Sequence, residues 1–192
     1  TPYHFPHSTQ VAGTTVVYSG DDRLYNNVFV GGFEVPEEEC YLGTAGYDDC
    51  CSSYEEYHEK VVAAGIGDLE KFIEIEQPVS IDGNVYLNGC KAFHAEKENV
   101  ILPAFDPKVR LLEEENHVYL ELTIPDEMLK VTTKIHSTQS LGTVRIVDAI
   151  YDDPDANPII LDKDYFGQLR CATPTPGPIE QLKSGHNRIQ VW

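Results

Sequence analysis

Apolar residues along the chain come in short runs, and the first question is which period they keep. Val118-Tyr119-Leu120-Glu121-Leu122-Thr123 alternates with a period of two, as a half-buried strand does. Val100-Ile101-Leu102-Pro103, Val144-Arg145-Ile146-Val147 and Ile159-Ile160-Leu161 predict further strands. One segment keeps a helical period instead. From Ser53 to Gly65, Tyr54, Tyr57, Val61 and Ala64 fall on one face, Ser53 can cap the first turn, and Gly65 stops it. Glu55 and Glu56 sit near the positive end of that helix dipole. Ile124-Pro125-Asp126-Glu127-Met128-Leu129 predicts one helical turn, with Pro125 tolerated at its start.

A short repeat refines the class. Asn27-Val28-Phe29-Val30-Gly31-Gly32 is echoed by Asn84-Val85-Tyr86-Leu87-Asn88-Gly89. Strands this short cannot form a stable sheet alone but suit the coils of a parallel β-helix, where Asn residues at turns can stack between coils. The expected fold is therefore all-β: right-handed parallel β-helix coils with a short helical excursion, at about 34–76, and capping strands. The only linker-like stretch, Thr173-Pro174-Thr175-Pro176-Gly177-Pro178, lies near the end, so residues 1–192 are expected to form one unit.

Composition narrows the partners. Of 192 residues, 41% are hydrophobic and 24% charged, which suits a globular chain with a real core. Fourteen Lys and Arg against 32 Asp and Glu give a formal charge of −18, which disfavours nucleic acid and, short of a local basic cleft, polyanionic substrates. No apolar run approaches the roughly 20 residues of a membrane span, and the opening TPYHFPHSTQ lacks the basic and apolar regions of a signal peptide. The chain opens without Met, which suggests processing, truncation or a split chain, and equally a trimmed one. Cys40, Cys50, Cys51, Cys90 and Cys171 are odd in number, two of them adjacent, and lack zinc-type spacing. Reduced thiols in a cytoplasmic protein are the simplest account.

Three segments carry a family resemblance. They are Thr1-Pro2-Tyr3-His4-Phe5-Pro6-His7-Ser8-Thr9 with Gly20 to Gly31, then Asp82 to Gly89, then Asp164-Tyr165-Phe166-Gly167-Gln168-Leu169-Arg170 with Pro176-Gly177-Pro178-Ile179-Glu180. Together they resemble the C-terminal part of β-xylosidases of glycoside hydrolase family 120. The resemblance implies a right-handed parallel β-helix with an inserted β-sandwich, and retaining, exo-acting hydrolysis of xylo-oligosaccharides. Such hydrolysis needs two carboxyl groups roughly 5–5.5 Å apart. The resemblance places that pair upstream of this chain, so the chain alone is expected to be inactive and to need an N-terminal portion, in the same or a partner chain. A small neutral sugar is the expected substrate, with no cofactor; self-association stays open.

Among candidate residues, His4 and His7 share a Pro-bracketed loop that suits hydrogen bonding to sugar hydroxyls or orienting a carboxylate, or else simple packing with satisfied imidazoles. Asp21, Asp22 and Arg23 precede a strand; they either fix a sugar or form a turn with a structural ion pair. Asp153-Pro154-Asp155-Ala156-Asn157 has alternating oxygen ligands, but Pro158 stands where a calcium loop needs Gly, so a polar turn is expected. Trp192 is expected to pack rather than stack on a sugar. Two other classes remain: a β-helix enzyme on acidic polysaccharide, which needs a basic cluster not visible in the sequence, and a non-catalytic β-rich carbohydrate-binding or assembly module.

Overall fold

The repeated Asn-led segments turn out to be neighbouring strands. The computed structural model describes residues 2–14, 20–32, 42–65, 67, 71, 74–145 and 148–192. Its strands are β1 (Pro2–His4), β2 (Val11–Thr14), β3 (Arg23–Tyr25), β4 (Val28–Val30), β5 (Ser80–Asp82) and β6 (Asn84–Leu87). They continue with β7 (Asn99–Leu102), β8 (Arg110–Glu114), β9 (His117–Ile124), β10 (Thr143–Val144), β11 (Ala149–Ile150) and β12 (Gly185–Gln190). Helix α1 (Tyr54–Ala64) is joined by short turns at Ala45–Tyr47, Met128–Lys130 and Thr138–Leu141. Strands predominate, in several small sheets, and the class is all-β. The stretch 34–41 of the expected excursion, Cys40 within it, and Ile146-Val147 lie outside the described residues.

The chain divides into two compact units, Thr1–Arg23 with Asp49–Ser80 and His136–Leu161, and Leu24–Asp48 with Ile81–Ile135 and Asp162–Trp192. In the second, β4, β6 and β7 form a parallel sheet in strict register, Val28 beside Val85 beside Val100 and Val30 beside Leu87 beside Leu102. Equal register puts like residues on one face. Val28, Val30, Val85, Leu87, Val100 and Leu102 therefore meet one apolar core with Ile124, Met128, Val131, Ile179 and Leu182. Full burial of side chains such as Leu87 and Ile124 contributes about 1.5–3 kcal/mol each. On the other face Phe29 stacks on Tyr86 with ring centroids 5.2 Å apart.

The turns of this sheet explain its glycines. A Cβ on Gly31 would lie 2.3 Å from the carbonyl oxygen of Asn88, so the backbones of successive turns approach too closely for any side chain. Gly32 also takes a φ of +86°, a left-handed conformation that favours glycine.

Beside the parallel sheet, β9 pairs antiparallel with both β8 and β12. Leu120, Leu122 and Ile124 turn toward the core, as the period of two predicted. The opposite face of β9 is not left bare, because the Arg188 guanidinium covers the Tyr119 ring at 4.2 Å. Two expectations are corrected here. Ile159-Ile160-Leu161 is no strand but a single bridge from Ile160 to Ser137, with Ile160 and Leu161 exposed. Pro158 has no N–H to extend a ladder on that side. The main chain of Trp192 hydrogen-bonds Val118, yet the residue is 79% exposed and does not dock on the body of its own domain.

In the first unit, α1 starts and stops as its sequence predicts. The Ser53 hydroxyl accepts from the Glu56 N–H, and Gly65 ends the helix at a φ of 62°. Tyr57 is the buried residue of the helix. Hairpin β1–β2 and the short pair β10–β11 complete the unit.

Candidate functional site

Asp21 organises the candidate site of the first unit. Gly20 and Asp21 both take left-handed backbone conformations, at φ 85° and 60°, and the Asp21 N–H donates to the Pro78 carbonyl, 3.0 Å. This sharp turn carries the Asp21 carboxylate inward, while the next residue, Asp22, is exposed. The adjacent carboxylates thus diverge, and they do not form an acid–base pair.

The Asp21 carboxylate is saturated with donors. Its Oδ1 accepts from Arg23 Nη1 at 3.0 Å and from the Tyr54 hydroxyl, and its Oδ2 accepts from the Arg145 N–H at 3.0 Å. Arg23 in turn donates Nε to Leu141 O (2.7 Å), Nη2 to Thr143 O (2.9 Å) and Nη1 to Asp21 O (2.6 Å). Its guanidinium also lies 4.8 Å over the Tyr151 ring. Burial opposes the Arg23 charge, but Asp21 and the neighbouring tyrosine oxygens outweigh it and raise its pKa. Burial, then the bond to Asp21, pushes Tyr54 up to about 12, so it stays a neutral donor. An aspartate so occupied is a positioning anion, and Arg23 a clamp across two loops.

What Asp21 positions is Arg145. The Arg145 guanidinium lies 4.7 Å over the Tyr57 ring and 5.8 Å over that of Tyr54, with Nε donating to Gln77 Oε1 at 2.6 Å. No carboxylate side chain forms a salt bridge with it among the described residues. Tyr54, Tyr57, Gln77 and Arg145 were not among the residues expected from sequence. The signal for Arg145 was a lone cation inside an apolar run; nothing local marked Gln77.

The two loop histidines separate. His7, at φ 53°, pairs with Asp152 through Nε2 at 2.8 Å. His4 sits exposed on β1, and no hydrogen bond joins it to His7 among the described residues. His7 is thus fixed, while His4 and Asp22 present their side chains outward.

In the second unit the turn-forming motifs are structural. Asp164, almost fully buried, accepts at Oδ1 from Phe166 N and Gln168 N, both 2.9 Å, and at Oδ2 from Glu180 N, 3.3 Å. Burial works against its charge, but these N–H groups hold its carboxyl below the usual range. Arg170 bonds Thr175 O (2.9 Å), Gly177 O (2.8 Å) and Glu180 Oε2 (3.4 Å), and Glu180 also accepts from Cys171 N and Thr175 N. These bonds tie Asp164–Arg170 to Pro176–Glu180. In the first unit, Asp153 Oδ1 accepts from Asp155 N and Asn157 N, which makes that loop a closed polar turn. No group of three metal-ligating side chains occurs among the described residues, nor does any helix of theirs have the length and apolarity to cross a membrane.

No family model matches the chain, and no curated protein does. A solved structure, the complex of XylC with xylose, is 46% identical and superposes with a TM-score of 0.87. The match covers 100% of this chain and 29% of XylC. Over its whole length the chain is similar to XylC, and it spans less than a third of it.

Proposed function

We propose that the chain is the C-terminal part of a xylan-related glycoside hydrolase, a retaining, exo-acting β-xylosidase of the family 120 kind, acting on a small neutral sugar. The observation that carries this reading is the full-length likeness, at 46% identity, to a protein whose solved structure holds xylose. The parallel register of β4, β6 and β7, with an Asn at the head of each repeat, supports stacked coils of a right-handed β-helix as the architecture. In this reading the catalytic carboxylates belong to coils outside the chain, and the chain alone is inactive. His4 and Asp22, both exposed, are offered to sugar hydroxyls in this reading, with His7 paired to Asp152 and Arg23 to Asp21 beside them. A cytoplasmic setting with reduced thiols belongs to the same proposal.

The test is intact mass and subunit content of the natural protein, with activity on aryl xylosides measured on the same sample. A larger species that cleaves them supports the reading. A stable 192-residue monomer that binds sugar without cleaving it sinks it. That second outcome would favour a carbohydrate-binding module, for which the exposed Trp192, Tyr165 and Phe166 are the supporting observation.

A further inference from the structure

The outward face of the antiparallel sheet carries a basic cleft that the linear sequence hides. Directly opposed residues share a face, so register places Arg110 on β8, Glu121 on β9 and Arg188 on β12 in one row. The next row on that face pairs Thr123 with His186. Lys108, Arg110, Glu121, Leu122, Thr123 and His186 line an open cleft of about 180 Å³.

The charges in this cleft are unbalanced. Glu121 is the one carboxylate in its lining, and it leans to Arg188, Oε1 lying 3.5 Å from Nε, with His186 Nε2 3.9 Å from Oε2. Arg188 is engaged elsewhere as well, on Glu114 at 2.5 Å. Arg110, directly opposite Glu121, makes no ion pair, and neither does Lys108, among the described residues. In a chain with 32 acidic and 14 basic residues, a cleft lined by two exposed cations and a single acid is the exception. They can supply charge-assisted donors to an anion. The retained Glu121 would repel a bare anion, but it accepts hydroxyl protons. A ligand that satisfies both is a carboxylate that also bears hydroxyls. A half-open cleft of this size can seat one sugar ring.

We propose that this cleft binds an acidic sugar, a single uronic acid ring. Arg110 and Lys108 take its carboxylate, and Glu121, Thr123 and His186 take its hydroxyls. The site is distinct from the Asp21 cluster and does not depend on the glycosidase reading, because binding is measured without turnover.

The experiment is titration calorimetry of the 192-residue protein with glucuronate, xylose and acetate, paired with amide shifts in an NMR spectrum. Glucuronate is expected to bind at least about 10-fold tighter than xylose or acetate, and more weakly as salt screens the contact. Its shifts should centre on Arg110, Thr123 and His186. Arg110→Gln and Lys108→Gln should each weaken it at least about fivefold with an unchanged unfolding midpoint, since both side chains are exposed. A xylo-oligosaccharide with one glucuronic acid branch distinguishes the source. Tighter binding than free glucuronate places the ring on a xylan branch, and equal binding makes it a free sugar acid; both support the proposal. Equal affinity for acetate, equal affinity for xylose, no saturable binding, or shifts confined to another surface would each overturn it.

Discussion

Asn84 holds Asn27 by two bonds: its Oδ1 accepts from the main-chain N–H at 2.8 Å and from the side-chain Nδ2 at 3.0 Å. The Nδ2 of Asn84 points the other way, to Leu24 O and Glu96 Oε1, both at 2.8 Å. Asn84 is fully buried, and its main-chain N–H also donates to Glu96 Oε1 at 3.0 Å. Asn84→Ala should destabilise the protein by about 2–4 kcal/mol, because the Leu24 carbonyl and the Asn27 N–H each lose a bond and Glu96 loses one of its donors. Asn27→Ala should cost about 1 kcal/mol. Chemical denaturation of the two variants checks the ranking.

Arg170 and Glu180 form a partly enclosed pair, and most of their other bonds go to turn backbone. Removing one partner leaves the other charge without its counter-ion in a partly buried turn. Arg170→Ala is expected to cost about 3–5 kcal/mol. Arg170→Lys should recover little of that, since an ammonium cannot span the Thr175 and Gly177 carbonyls together. Thermal melts of both variants read the difference.

Separating contact from scaffold in the Asp21 region calls for paired variants. Arg23→Ala should lower stability by about 2–4 kcal/mol, through lost bonds to Asp21, Leu141 and Thr143. His4→Ala and Asp22→Asn, at exposed positions, should stay within about 0.5 kcal/mol of the parent. A loss of sugar affinity in either of the latter, with an unchanged melt, would then report a direct contact. Unchanged affinity in both would remove them from the sugar site.

Acid should loosen the start of α1. Bonds from Lys60 first, then from the Ser52 hydroxyl and N–H, hold the Glu56 carboxyl down at about 2, against 4.5 for the free group. A depressed carboxylate pKa stabilises the fold fully above the unfolded value and ceases to do so as pH falls through the folded one. The melting difference between parent and Glu56→Gln should therefore be constant above about pH 5 and disappear toward pH 2. A difference that persists at pH 2 would argue against this ion pair.

Thiol reactivity should follow burial. Desolvation, then the Glu76 carboxylate 3.3 Å away, pushes Cys50 up to about 12, and burial raises Cys51 and Cys90 as well. Cys171 is exposed, though Glu180 raises its pKa too. Peptide mapping after brief alkylation at neutral pH should find Cys171 labelled ahead of Cys50, Cys51 and Cys90, which should react only on unfolding.

What could be read from the chain was what is local. The cap and stop of α1, the period of β9 and the two Asn-led repeats depend on neighbours within a few residues. A third member of the repeat, Asn99-Val100-Ile101-Leu102, went unrecognised as such because Pro103 follows it where the others have a glycine turn, yet it lies in register beside Asn84 to Leu87. The pairing of Asp21 with Arg23 was legible, but not its saturation, because the carbonyls of Leu141 and Thr143 arrive from far along the chain. The same holds for the basic cleft: His186 meets Thr123 only through the pairing of β12 with β9.

The register of the parallel sheet has a bearing on the connections between its strands. Val30 leads to Asn84 through a long connection that includes α1, whereas Leu87 reaches Asn99 by a short one, yet the three strands align identically. Alignment is set by the strands and their asparagines, not by the path between them. Within this sheet a long connection and a short one thus serve the same frame, so the length of a connection does not by itself fix the alignment of the strands it joins.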